Sequence, residues 1–91
     1  MPLKKGFTRL HGFVVNELTA REFRNMGRRL RRHVDRGSKL EAQSVLTEIK
    51  AFAGDHEMYR QLFETIRQDA DARWQRKWGR SCKAELAAEA K

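Results

Sequence analysis

Gly37, Gly54 and Gly79 each close an apolar series that recurs every three or four residues, and this punctuation limits what the chain can fold into more than any other feature. Glycine just past a helix adopts left-handed backbone without a Cβ penalty, so it marks helix ends. The first series is Phe23, Met26, Leu30 and Val34. The second is Ala42, Val45, Leu46, Ile49, Phe52 and Ala53, and the third is Tyr59, Leu62, Phe63, Ile66, Ala70 and Trp74. Spacings of this kind place one face of a helix on a core. The starts are marked too: Thr19 with Glu22 and Ser38 with Glu41 have the capping-box pattern, Leu18 and Phe23 stand at staple positions, and Asp55 is a good N-cap. The spacing predicts helices near 20–36, 39–53 and 56–78. Linkers of one or two residues force sharp reversals, so consecutive helices pack as neighbours. We therefore expect an all-α three-helix bundle or sheet of helices over 19–80. A basic extended arm at 1–18 precedes it and a short helical tail at 81–91 follows. Phe13–Val15 is the only patch that suggests extended backbone.

A chain of 91 residues, 40% hydrophobic and 35% charged, suits one domain with a modest core. No apolar run exceeds three residues, whereas a membrane span needs about 20. The single cysteine, Cys82, excludes an intramolecular disulfide. Its solitude fits a reducing compartment, cytoplasm or mitochondrial matrix. The segment 1–16 holds Lys4, Lys5 and Arg9 with no acid and an amphipathic spacing of Leu3, Phe7, Leu10 and Phe13, features shared with mitochondrial presequences. Gly6 and Gly12 weaken it as a helix, and both readings, arm and targeting segment, stand on the sequence alone.

The formal charge of +8 is unevenly distributed. Residues 1–37 carry ten Lys or Arg against three acids, residues 38–71 four against seven, and residues 72–91 six against two. The excess concentrates in Arg21, Arg24, Arg28, Arg29, Arg31, Arg32 and Arg36. On a helical wheel these lie opposite Phe23, Met26, Leu30 and Val34, which fall within about 80° of one another. A solubilising face interleaves both signs; here like charges four apart (Arg24 with Arg28, Arg28 with Arg32) repel by a few tenths of a kcal/mol each. An anionic partner would offset that repulsion. Guanidinium groups suit phosphate, carboxylate or lipid headgroups, and charge alone does not separate the three. A second cluster, Arg73 to Arg80, interleaves Trp74 and Trp78 with cations. Trp74 continues the apolar series and belongs to the core; Trp78 lies further round the wheel and is the better candidate to stack on a partner, with Arg76 and Arg80 on phosphates beside it. Gly27 sits near the apolar residues of the first helix, where glycine costs about 1 kcal/mol relative to alanine. Close approach of a neighbouring backbone would explain it.

Nothing resembles a catalytic constellation. Asp55-His56-Glu57 places its groups on adjacent residues that diverge on a helix. His33, His56 and Cys82 are too few and wrongly spaced for zinc, and no glycine-rich phosphate loop is present. No enzyme activity and no cofactor are expected.

Met58-Tyr59-Arg60 resembles the Leu-Tyr-Arg tripeptide of a family of small, basic, three-helix mitochondrial adaptor subunits. In that family the tripeptide opens the first helix, whereas here it opens the third, and the chain is not assigned to it. The residues favour a non-catalytic basic module that binds nucleic acid, structured RNA in a ribonucleoprotein above all. Arg24, Arg28, Arg31 and Arg32 would neutralise phosphates, and Lys4, Lys5 and Arg9 would extend along the backbone. The alternative is an accessory or assembly subunit of a large multi-protein complex, with a mitochondrial, membrane-peripheral one among the options and no transmembrane segment, that sets its arginines against acidic protein surfaces or lipid headgroups.

Overall fold

A computed structural model describes residues 5–79. The order is a hairpin of β1 (Phe7–Leu10) and β2 (Phe13–Asn16), then α1 (Glu17–Arg36), α2 (Lys39–Ala53) and α3 (Glu57–Trp78). Among these residues the architecture is mainly helical, with a small two-stranded sheet. The expected tail at 81–91 lies outside the described residues.

The expected extended arm is instead, over residues 7–16, an antiparallel hairpin with Thr8 opposite Val15 and Leu10 opposite Phe13. His11 (φ 51°) and Gly12 (φ 86°) are its two loop residues. Positive φ at both is the requirement of a type I′ turn, whose twist matches that of the flanking strands. Thr8, Leu10, Phe13 and Val15 face the helices, and Val15 is buried in the core. Phe7, Arg9, Val14 and Asn16 occupy the outer face. Glu17 N–H donates to the Gly6 carbonyl at 2.9 Å, fixing the base of the hairpin to the start of α1.

The start of α1 corrects the expectation of a helix beginning near Ala20. Asn16 is the N-cap, its Oδ1 accepting from Leu18 N–H at 2.8 Å. Thr19 and Glu22 therefore lie inside the helix, and Leu18 is 68% exposed rather than stapled to Phe23. The hairpin delivers the chain to Asn16 already extended, so the first competent cap upstream takes the helix end. Ser38 occupies the N-cap of α2 without a side-chain cap bond, and His56, not Asp55, occupies that of α3.

The three stops fall at the expected glycines, with Gly37 and Gly54 at positive φ and Gly79 still in right-handed helical backbone. Gly37 (φ 73°) donates to Val34 O at 3.0 Å and Ser38 N–H to His33 O at 2.9 Å, a Schellman motif. A Cβ on Gly37 would also sit 3.3 Å from the Trp78 ring. Trp78 Nε1 donates to Val34 O at 2.8 Å, so α3 helps to cap α1.

Phe23 meets Phe52 and Tyr59 edge-on, with ring centroids 5.1 and 5.7 Å apart. At the other end Asp35 meets Arg73. α1 and α3 thus run the same way, with α2 antiparallel between them in the chain. The core takes its side chains from all three helices plus Val15, and no polar or charged residue is buried among those described. Trp74 belongs to it, as expected, at 2% exposure.

Candidate functional site

Parallel packing of α1 and α3 sets two stripes of equal spacing opposite each other: Arg24, Arg28 and Arg31 on α1, and Asp69, Arg73 and Arg76 on α3. Between them runs a groove of about 390 Å³. Its floor is apolar, made by Leu10 of the hairpin with Phe23, Leu30, Ile66 and Ala70. The hairpin tip enters it, with His11 Nδ1 3.8 Å from Asp69 Oδ2.

The rim is cationic and mostly uncompensated. Arg24, Arg31 and Arg76 have no ion-pair partner among the described residues, and the Arg28 guanidinium is hydrogen-bonded to the neutral Asn25 amide oxygen. Asp69 is the only acid among the described residues that line the groove. Arg73 differs from its neighbours, because Nε and Nη2 hold both oxygens of Asp35 at 2.7 and 3.2 Å. Lys77 Nζ adds a cation 3.7 Å from Asp35.

The Arg73 hydrogen bonds, helped by the charges of Arg73 and Lys77, hold the Asp35 carboxyl below the usual carboxylate range. A depressed folded-state pKa stabilises the fold above the unfolded value, and the effect is lost as pH falls through the folded one. The melting temperature should therefore drop on acidification below the ordinary aspartate range. Asp35→Asn should make that acid limb shallower; an unchanged acid limb in a pH series of thermal melts would contradict the assignment.

The remaining sequence-predicted residues distribute as follows. Arg21, Arg32 and Arg36 are exposed on the outward side of α1. Arg29 faces α2 and is held bidentately by Glu48 at 2.9 and 3.0 Å, a pair that lowers the Glu48 pKa. Arg9 lies on the outer face of the hairpin and Lys5 at its base, both exposed. Lys4 and Arg80 lie outside the described residues. Trp78, expected to stack on a partner, is half-buried against the α1 terminus, with its Nε1–H directed at Val34 O. Its indole fills the space over Gly37, which the wheel of one helix does not reveal.

Sequence reasoning missed Arg73, His11 and Asp69 as groove residues. The i, i+4, i+7 spacing of Asp69, Arg73 and Arg76 was there to be seen beside the core series; that it would face Arg24, Arg28 and Arg31 was not. Gly27 is corrected as well: a Cβ there would meet nothing within 4 Å, so no backbone of a neighbouring element approaches it among the described residues. It opens onto the groove instead.

Guanidinium groups on two rigid helices around an apolar floor can hold an anion bidentately while sheltering an uncharged body attached to it. No group of three His, Cys, Asp or Glu side chains suited to a metal ion occurs among the described residues, and no helix among them is long and apolar enough to cross a membrane. Comparison with protein-family models, with curated proteins and with solved structures returns no match.

Proposed function

We propose that the chain is a non-catalytic basic module that binds nucleic acid, structured RNA as part of a ribonucleoprotein before duplex DNA. The observation that carries this reading is the convergence of Arg24, Arg28, Arg31 and Arg76 from two helices on one groove lined, among the described residues, by a single acid. Such a rim recovers the repulsion along α1 when phosphates replace the missing counter-charges. A helix-turn-helix mode is disfavoured: α2 would be the reader, and its exposed Glu41 and Glu48 suit a major groove poorly.

A second reading, an accessory subunit of a larger protein complex, draws support from exposed apolar side chains outside the groove. Phe7 and Val14 are 39% and 40% exposed on the outer face of the hairpin, and Leu40 is 78% exposed. These are apolar groups that a protein partner would cover.

Two measurements test the proposal. Inorganic phosphate should raise the melting temperature more than chloride at matched ionic strength, because it occupies the guanidinium rim. The purified chain should carry RNA, seen in its 260 to 280 nm absorbance ratio before and after nuclease and high salt. Absence of binding to any RNA at about 50 mM salt would remove the first reading and leave the second.

A further inference from the structure

Gly27 is a helix-interior glycine that neither backbone nor packing requires. Its backbone is ordinary helix, and an added Cβ would have nothing within 4 Å. Glycine there gives up helix propensity that alanine would supply, yet no atom of the described residues uses the space it leaves. That space belongs to the groove, on the α1 wall between Arg24 and Arg28. Phosphates of a duplex need only the exposed guanidinium groups and have no use for a cavity. The volume of about 390 Å³ lies in the range of roughly 300–1,000 Å³ typical of pockets for small molecules and cofactors.

We infer that the groove shelters one unpaired nucleotide of a bound RNA, its base laid on the apolar floor beside Gly27 and its flanking phosphates held by Arg24, Arg28, Arg31 and Arg76. The inference rests on the RNA-binding reading and deepens it. Unstacked bases are recognised on apolar or guanidinium surfaces, with hydrogen bonds to their edges. Here the rim arginines supply planar cations. At the hairpin end, Asp69 supplies an acceptor for a base N–H, and His11 stands 3.8 Å from it. Loops and bulges of a structured RNA offer such nucleotides; its paired stems do not.

The test is fluorescence anisotropy with two labelled RNAs of the same sequence, one single-stranded and one annealed to its complement, repeated with 2-aminopurine in the single strand. The single strand should bind about tenfold more tightly than the duplex, and 2-aminopurine emission should change on binding. Gly27→Leu fills the groove and keeps every rim arginine, so it should weaken the single strand about tenfold and leave duplex affinity unchanged. Gly27→Ala guards against a folding artefact: it should raise the melting temperature through helix propensity while still weakening single-strand binding measurably. Equal binding of both RNAs, or Gly27→Leu binding the single strand like the parent, would overturn the nucleotide pocket and leave RNA binding intact. Failure to bind either RNA would overturn both. Displacement of single strand by an acidic, apolar peptide, with duplex still bound, would assign the groove to a protein segment instead.

Discussion

Leu30→Asp is expected to abolish the fold. Leu30 is 3% exposed at the centre of the α1 apolar face, where it forms part of the groove floor. An unpaired carboxylate there loses its hydration without gaining a partner, at a cost of several kcal/mol. A domain of this size has only about 5–10 kcal/mol in total, and the core around Leu30 is built from apolar residues, with the Trp74 indole N–H its one unpaired buried polar atom among the described residues. Far-UV circular dichroism should show loss of helix at room temperature. Arg28→Glu, one position along the groove wall from Gly27, should melt close to the parent, since Arg28 is exposed and the change removes like-charge repulsion with Arg24 and Arg32. Similar melting of the two variants would mean that the faces of α1 are wrongly assigned.

The second large effect concerns RNA. In the double variant Arg28→Ala, Arg31→Ala, two rim cations are lost while the core is untouched. Each phosphate contact on a single strand contributes about 0.7 to the slope of log affinity against log salt. The slope should therefore flatten by about 1.4, and affinity near 50 mM salt should fall between about 10- and 100-fold. The outward pair Arg32→Ala, Arg36→Ala removes the same formal charge from α1 without touching the groove, and should flatten the slope less. Equal losses from both pairs would show that RNA sees the whole cationic face of α1 and not the groove. Salt titrations over the same range for the three proteins decide between these outcomes. Arg29→Ala has a different expected consequence: it frees Glu48 and loosens the α1 to α2 pairing, with little change in the salt slope.

Much of the helical layout is legible in local chemistry. The residues 39–53 are bounded by glycines and by a period of 3.6, and both ends of α2 fall where those signals put them. The stop of α1 at Gly37 is equally local, because left-handed backbone at that position selects glycine. The start of α1 is not local. Thr19 and Glu22 form a better capping pattern than Asn16 by sequence, yet Asn16 wins because β2 runs directly into it. The hairpin itself stayed hidden for two reasons. Its loop is His-Gly and not the common Asn-Gly or Asp-Gly, and exposed Phe7 and Val14 blur the alternation of Thr8, Leu10, Phe13 and Val15.

The sequence alone determined that one helix would carry a core face and a cationic face, since side-chain direction on a helix follows from spacing, and it determined where glycine would end the three helices. Only the tertiary structure decided which arginines act together. Helix periodicity fixes angles about one axis and is silent on which neighbour a given angle meets. The parallel packing of α1 and α3 sorts the seven arginines into Arg24, Arg28 and Arg31 on the groove, Arg29 on Glu48, and Arg21, Arg32 and Arg36 outward. The same packing turns Trp78 inward onto Val34 and recruits Arg73 to Asp35, 38 residues away in the chain. It also leaves Gly27 facing open space, a vacancy that exists only because two helices and a hairpin tip surround it.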